Sequence, residues 1–153
     1  MRLLFILLLT INLFSKEILG EIDKFDLPLL NLQNIEARID TGATSSSIHC
    51  LKIEKIDDKN VKFLLSNNNE IIKPISKIAN VKSSNGIVQE RFFIKTKIII
   101  FEKDYEIEVS LINREKMTYP LLIGRELLNQ GFIVDVSQKN LSFENKNRII
   151  YKE

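Results

Sequence analysis

After position 20, apolar and polar side chains alternate with a period of two residues, and this pattern restricts the fold more than any other feature of the chain. The segment Tyr105–Leu111 shows it most clearly, because its first, third, fifth and seventh residues are apolar and those between them are polar: Glu106, Glu108 and Ser110. Successive side chains of a β-strand point to opposite faces of the sheet. We therefore expect the apolar set to face a core and the three polar side chains to face water.

Short strand-like segments of this kind recur along the chain, separated by polar turns. The others are Ile35–Asp40, Ser47–Lys52, Val61–Leu65, Glu70–Lys73, Ile75–Val81, Val88–Lys95, Lys97–Phe101, Leu121–Ile123, Phe132–Asp135, Asn140–Phe143 and Arg148–Tyr151. One helix is predicted after position 20, Arg125–Gln130, with Gly131 as its C-terminal cap. Many short strands with one short helix predict a single all-β domain over residues 21–153, folded as a small closed barrel or a sandwich.

The strongest hairpin signal lies within the turn Ser83–Gly86. Its last two residues, Asn85 and Gly86, both tolerate the positive φ angles that a tight hairpin turn requires. The sequence therefore predicts a β-hairpin with its tip at this turn.

The first 20 residues differ in character from the rest of the chain. Arg2 is followed by a mainly apolar run that ends at the polar Ser15. A positive residue followed by about a dozen apolar ones is typical of a secretory signal peptide, and the run is shorter than the roughly 20 residues that span a bilayer. Cleavage after Ser15 or after Gly20 would leave a large side chain where a small one is preferred, so an uncleaved N-terminal anchor and a core helix stay open. The segment predicts export to the periplasm or beyond, with membrane contact only through an uncleaved anchor.

Charge and cysteine content exclude several classes of function. Acidic and basic residues are intermixed and the formal net charge is +2, so no field of a single sign indicates nucleic-acid binding. Cys50 is the only cysteine, which excludes an intrachain disulfide bond and a Cys-x-x-Cys metal site. We expect Cys50 to be buried, the alternative being a bridge to another chain.

The segment Ile39–Ala43 could carry chemistry. The strand that begins at Ile35 ends at Asp40, and Gly42 then permits a sharp turn. Such a turn would hold the Asp40 carboxylate rigidly beside the Thr41 hydroxyl and the Gly42 backbone. Taken alone, the Asp-Thr-Gly sequence also fits an ordinary structural turn.

A second segment changes this interpretation. Pro120–Leu128 is an apolar strand that leads through Gly124 and Arg125 into a short helix. With the Asp-Thr-Gly-Ala motif at 40–43 and the Asn-Gly hairpin between them, it resembles the retropepsin family of aspartic proteases. The resemblance implies a small closed barrel, Asp40 as the catalytic carboxylate, and a substrate-binding flap formed by Ser83, Ser84, Asn85 and Gly86.

The match is closest to a bacterial branch labelled ATP-dependent zinc proteases, met near ATP-grasp peptide ligases of the RimK type. It covers roughly residues 25–145 and rests on the segments Asp40–His49, Val81–Gly86, Glu90-Arg91, Leu111–Arg114, Met117–Arg125 and Gly131–Ser137. The residues support neither part of that label. No Gly-rich phosphate loop of the Walker type is present, and zinc usually needs three protein ligands.

His49 is the only histidine. Its neighbour Cys50 would point to the opposite face of a strand, so the two cannot readily share a metal or form a catalytic pair. We therefore predict no metal and no cofactor, and we interpret His49 as a strand residue near the site.

The resemblance implies the mechanism as well. Aspartic proteases need two close carboxylates that share one proton, and this chain has one Asp-Thr-Gly, so the second carboxylate would be Asp40 of another copy in a homodimer. Thr41, Gly42 and Ala43 would support this pair, and the substrate would bind as an extended strand under the flap. Gly124 and Arg125 are expected to be structural, Arg125 in an ion pair under the turn.

Several points stay open at this stage. The chain has Thr44 where retroviral members carry an acidic residue, which puts their style of substrate recognition in doubt. Asp135 is interpreted as structural, Arg114 and Tyr119 receive no role, and Arg148–Tyr151 could be a dimer-interface strand or an ordinary edge strand. The leading hypothesis is peptide hydrolysis. The alternatives are a non-catalytic peptide-binding module and an enzyme that processes a peptide tag added by an ATP-grasp ligase.

Overall fold

The computed structural model describes residues 16–82, 86–113 and 118–150, with side chains described as far as residue 147. Twelve strands and two α-helices are formed within these ranges. The strands are β1 (Glu17–Leu19), β2 (Ile22–Leu27), β3 (Leu32–Ile39), β4 (Ser46–His49), β5 (Lys52–Lys55), β6 (Asn60–Leu64), β7 (Glu70–Pro74), β8 (Lys77–Lys82), β9 (Val88–Ile100), β10 (Lys103–Ile112), β11 (Leu121–Ile123) and β12 (Phe132–Val134). The helices are α1 (Arg125–Leu128) and α2 (Leu141–Ile150).

Six strands close into a barrel in the order β10-β4-β11-β3-β2-β9, because β9 also pairs with β10. Strand β8 extends the barrel wall by pairing with the N-terminal part of β9, from Val88 to Phe93. Two of the pairings are parallel, β10 with β4 and β11 with β3, and the others are antiparallel. The predicted all-β closed barrel with a short helix at Arg125 is therefore confirmed.

The barrel encloses one hydrophobic core. Its largest fully buried side chains come from β1, four of the barrel strands, β6 and the segments that follow β2 and β6: Phe25, Phe63, Leu19, Leu27, Leu30, Ile48, Leu65, Ile94, Ile98, Ile100 and Leu111. Burial of this much apolar surface provides the main stabilisation of the fold. The three-stranded sheet β5-β6-β7 contributes Val61 and Phe63 to the core and thereby closes one side of it.

Strand β1 lies within the segment that the sequence assigned to a signal or anchor. It pairs in parallel with β12, and Leu19 is fully buried in the core. The following Gly20 is packed so closely that an added Cβ would lie 2.3 Å from the Gln138 carbonyl oxygen. Removal of residues 1–15 would preserve β1, whereas cleavage after Gly20 would remove it. Within the described part of the chain, no helix is long and apolar enough to cross a membrane.

The two strands predicted at Asn140–Phe143 and Arg148–Tyr151 are wrong, because residues 141–150 form helix α2; Tyr151 itself lies outside the described residues. A buried carboxylate distant in sequence explains the helix. Asp23 on β2 accepts hydrogen bonds from the backbone N–H groups of Ser142 (2.9 Å) and Phe143 (3.1 Å). These N–H groups belong to the first turn of α2, where no partner exists within the helix. Asp23 therefore caps α2 from across the fold.

Other corrections concern the barrel wall. The two strands predicted on either side of residue 96 are one continuous strand, β9. Ser110, expected to face water, is buried and donates a hydrogen bond from its hydroxyl to the Ser46 carbonyl oxygen (3.2 Å), because β10 has a neighbour on both sides. The predicted burial of Cys50 is confirmed.

Candidate active site

Asp40 lies where β3 ends, at the point where β11 runs beside it in parallel. Its backbone N–H donates to the Ile123 carbonyl oxygen (2.9 Å), which fixes the first residue of the turn against β11. The side chains of Ala37 and Ile39 face the core, whereas Arg38 is exposed. By this alternation the half-buried Asp40 side chain lies on the same outer face as Arg38.

The two oxygens of the Asp40 carboxyl have different surroundings. Oδ1 accepts hydrogen bonds from the backbone N–H groups of Gly42 (2.9 Å) and Ala43 (3.2 Å). Oδ2 makes no hydrogen bond with any part of the chain that the structure describes. A Cβ at Gly42 would lie 3.1 Å from Oδ1, so glycine gives the turn room to close on the carboxyl. One oxygen is thus held in place while the other is available to a ligand or a second protein copy.

The guanidinium of Arg125 fixes the loop formed by residues 41–44 through hydrogen bonds. Its Nη1 donates to the carbonyl oxygens of Thr41 and Gly42, both at 2.9 Å, and its Nη2 donates to the Thr44 hydroxyl oxygen at 3.0 Å. The expectation of an ion pair for Arg125 is therefore wrong: within the described residues the guanidinium binds neutral oxygens of the loop. A planar fork of donors suits this task, since it contacts several acceptors at once.

Gly124 permits the close contact between the two segments. An added Cβ would lie 2.6 Å from the Ser45 carbonyl oxygen, so any other residue would push β11 away from the loop. The Gly124 N–H also donates to the buried Ser46 hydroxyl oxygen (3.0 Å). The structure therefore brings together the predicted residues at 40–43 with Gly124 and Arg125.

The predicted flap is described in part. Its arms are the antiparallel strands β8 and β9, paired as far as Lys82 with Val88. Gly86 has a positive φ of 84°, as expected of a turn glycine. Ser83, Ser84 and Asn85 lie outside the described residues, and so does Arg114.

His49 is the last residue of β4 and is half-buried, and Cys50 follows it and is fully buried. The His49 backbone N–H donates to the Pro120 carbonyl oxygen at 2.7 Å. The Cys50 thiol is directed towards the Ile48 carbonyl oxygen, and burial raises its pKa to about 12. The described residues contain no cluster of three or more potential metal ligands. Tyr119 is half-buried, and within the described residues its side chain has no hydrogen bond or ion pair that would give it a role.

The sheet registers show a feature that the sequence analysis missed. Directly paired residues of neighbouring strands lie on one face of the sheet, and one set of pairs continues across six strands from β3 to β8. We call this set the outer-face row: Arg38, Leu122, Ser47, Ser110, Phe93 and Lys77.

The middle four members of the outer-face row are buried, yet its two large apolar members, Leu122 and Phe93, lie outside the main core cluster. Asp40 lies two residues after Arg38, the first member of the row, and its side chain is on the same face of the sheet. Only the pairing register could have shown this row, since its members come from six separate strands.

A closed six-stranded barrel in which Asp-Thr-Gly ends one strand and Gly-Arg follows the parallel strand beside it defines the retropepsin-like class of folds. Residues 18–145 match the family model described as "RimB-like: Retropepsin-like aspartic endopeptidase RimB". The chain belongs to this RimB-like family, as its sequence motifs indicated.

Curated relatives are longer proteins. A "Probable alpha-L-glutamate ligase" of Shewanella halifaxensis is 33% identical over 134 residues, which is 81% of this chain and 29% of the relative. A protein of the same description from Parasynechococcus marenigrum is 30% identical over 130 residues, covering 78% of this chain and 28% of the relative. The chain thus spans less than a third of these relatives.

Among solved structures, Lpg0085 of Legionella pneumophila, a protein of unknown function (DUF785), has a similar fold. The TM-score is 0.69 at 26% sequence identity, and the match covers 84% of this chain and 99% of the other. The similarity thus spans the whole of that protein.

Proposed function

We propose that the protein is an aspartic endopeptidase that works as a homodimer, with Asp40 of each copy contributing one carboxyl to the reaction centre. The observation that carries this proposal is the asymmetric environment of the Asp40 carboxyl. Two backbone N–H groups hold Oδ1, while Oδ2 is not engaged by the described chain. A carboxyl in an aspartic protease must be rigidly oriented and must still present one oxygen to water or to its partner carboxyl.

The requirement for two copies follows from the chemistry. Water attack on a peptide bond needs one carboxylate as general base and one carboxylic acid that donates a proton to the scissile carbonyl oxygen. Two carboxyls at hydrogen-bonding distance cannot both ionise, so one proton is shared between them. The chain supplies one Asp-Thr-Gly loop, and a twofold axis beside Asp40 would supply the other.

The remaining residues have supporting roles in this proposal. Arg125 and Gly124 keep the loop against β11, so that the carboxyl does not need to reorganise during the reaction. The arms of the β8–β9 hairpin would cover a substrate held as an extended strand, which would use backbone hydrogen bonds for affinity and side-chain contacts for selectivity. Thr41 and Ala43 belong to the loop itself. Export through the N-terminal segment is part of the same proposal, and it places the activity in the periplasm or outside the cell.

The experiment compares the purified full chain with Asp40→Asn on a diverse peptide library from about pH 4 to about pH 8. Asp135→Asn is the matched control, since the Asp135 carboxyl accepts hydrogen bonds from Ser137 in its own turn. We expect cleavage by the parent and the control and none by Asp40→Asn. Sedimentation analysis of the parent tests the dimer.

Two results would count against the enzyme. Cleavage that survives in Asp40→Asn would assign the activity to another group or a contaminant. Equal absence of cleavage in all three folded, dimeric proteins would favour a peptide-binding module.

A second candidate concerns the substrate of the same site. The relatives named alpha-L-glutamate ligases contain a region similar to this chain, which favours a peptidase that processes a glutamate tag added by such a ligase. The exposed Arg38 beside Asp40 is compatible with an acidic peptide. The test adds oligoglutamate peptides and glutamine-substituted copies to the library. Preferential cleavage of the glutamate peptides supports this candidate, and equal cleavage of both sets argues against it.

A further inference from the structure

Arg91 on β9 is a buried cation that the proposed mechanism does not use. The residue is 9% exposed, and its Nε is buried without a hydrogen-bond partner. No carboxylate pairs with it among residues 16–82, 86–113 and 118–147. By contrast, the guanidinium of Arg125 has three hydrogen-bond acceptors, although it is more exposed.

An unpaired guanidinium is an unusual group to bury. Arginine stays charged in proteins, and buried charges are as a rule paired, because removal from water is costly without a compensating partner. Burial lowers the pKa of Arg91, and no neighbouring charge opposes this effect. The arrangement therefore leaves the Nε donor of Arg91 unsatisfied, and a planar carboxylate is the anion whose geometry matches the donor fork.

The position of Arg91 connects it with the candidate active site. It lies two residues from Phe93 on the same strand, so both side chains are on the outer face. On the neighbouring strand β8 it is paired with Ala79, and β8 and β9 are the two arms of the predicted flap. Arg91 thus lies on the β9 arm of the predicted flap, beside Phe93 of the outer-face row.

The β8–β9 hairpin connects Arg91 with the proposed substrate. Its strands are the described arms of the predicted flap, which in the proposed function covers a peptide held as an extended strand at Asp40. A residue of that peptide away from the scissile bond would therefore lie near the β9 arm and Arg91.

We propose that Arg91 is a specificity-determining residue that binds a carboxylate of the substrate peptide at a distance from the scissile bond. This inference rests on the proposed function, because it takes the β8–β9 hairpin as the flap that covers the peptide. The carboxylate can belong to an acidic side chain or to the C-terminus of the peptide. In either case the bound carboxylate neutralises the buried guanidinium, and a neutral amide in its place leaves the cation unpaired.

The test measures binding, so that it does not depend on hydrolysis. The full chain carrying Asp40→Asn is titrated with a fluorescent peptide of roughly eight residues rich in glutamate, with a copy in which glutamine replaces glutamate, and with C-terminally amidated forms of both. We expect the glutamate peptide to bind at least about tenfold tighter than the glutamine peptide, since a site built for a charged partner rejects the neutral analogue strongly. If the C-terminus is the source of the carboxylate, amidation will cause this loss and glutamine substitution will not.

Arg91→Met in the Asp40→Asn background removes the charge and keeps an apolar stem. We expect this variant to lose the preference for the carboxylate-bearing peptide. Arg91→Lys keeps the charge without the fork and should retain only part of the preference. Lys95→Met is the matched control: Lys95 is an exposed cation on the same strand and face, and its loss should change the affinity less than about twofold near 0.15 M salt.

The outcomes separate Arg91 from the catalytic proposal. A folded Arg91→Met that keeps the full preference of its parent overturns the inference and assigns Arg91 a structural role. If that variant does not fold, an undiminished preference in Arg91→Lys overturns it equally. Carboxylate-selective binding that depends on Arg91, together with no cleavage by the parent, would support this inference and refute the enzyme.

Discussion

The cap that Asp23 provides to helix α2 allows a quantitative prediction. Its carboxylate is fully buried and accepts three backbone N–H hydrogen bonds, from its neighbour Lys24 (2.8 Å) and from Ser142 and Phe143 in the first turn of α2. Asp23→Ala removes both acceptor oxygens and leaves three buried or partly buried N–H donors without their partner on β2. We expect the first turn of α2 to be held less firmly against β2 as a result.

The magnitude follows from these contacts. A backbone donor left without a partner costs about 1 kcal/mol or more, so three donors amount to about 3 kcal/mol of the free energy of unfolding. For a domain of this size, about 1 kcal/mol lowers the melting temperature by roughly 2–4 °C, which gives a decrease of about 10 °C. Asp23→Asn keeps one acceptor oxygen and the side-chain volume, and we expect roughly a third to a half of this loss.

Thermal and urea unfolding followed by circular dichroism provide the assay. The control is Asp58→Ala, because Asp58 is 96% exposed and its contact with Lys55 is a surface ion pair that should have little influence on stability. A melting temperature for Asp23→Ala within about 2 °C of the control would refute the argument that this carboxylate holds the helix.

The pH dependence gives an independent check. Burial, the largest influence, raises the pKa of Asp23 above its ordinary value near 3.8, although three hydrogen bonds oppose it. A raised carboxyl pKa means that the folded state binds the proton more tightly than the unfolded state, so this group's contribution to stability is largest at low pH. That contribution decreases as the pH rises from the ordinary value through the raised one. Asp23→Asn should remove this decreasing component from a plot of unfolding free energy against pH, and an unchanged plot would contradict the assignment.

The remaining predictions concern the loop and the core. Gly124→Ala should destabilise the protein by at least about 2 kcal/mol in urea unfolding, because its Cβ would lie 2.6 Å from a backbone oxygen. Gly86→Ala, with nothing within 4 Å, should lose only the roughly 1 kcal/mol due to its positive φ; equal losses would contradict this account. Arg125→Met should cost about 1–2 kcal/mol in the same assay, since it removes three hydrogen bonds to the loop, and an unchanged midpoint would count against a supporting role. Cys50 should react with a thiol reagent at neutral pH only after unfolding, because burial raises its pKa to about 12; rapid reaction of the folded protein would disprove its burial.

Much of the barrel could be predicted from local patterns. Strand β11 was predicted with its observed bounds, because a run of consecutive apolar residues indicates a strand that is buried on both faces. Strand β10 was predicted to within two residues, because its apolar residues alternate with polar ones. Strand β2 was missed for the opposite reason. Its inward positions include Asp23, so the alternation is interrupted at the residue that later caps α2.

The errors share one physical origin, which is long-range contact. Helix α2 was predicted as two strands because its cap is supplied by Asp23, 119 positions away. The ion pair expected for Arg125 proved to be a set of hydrogen bonds to neutral loop oxygens, since the sequence does not show which atoms the guanidinium reaches. In the sequence, Arg91 stood out only as part of a motif. The burial of its Nε without a hydrogen-bond partner among the described residues could be found only from the structure.

The contact between Arg125 and the Asp40 loop also has a consequence for the order of folding. Its two partners are 84 positions apart, and the β3–β11 pairing that supports it joins similarly distant segments. Contacts between such distant segments form slowly, since a long loop must close before they contribute. During synthesis, the loop that presents Asp40 would therefore lack its support until most of the barrel sequence has emerged. The order of segments along the chain thus delays assembly of the site until the rest of the protein is in place.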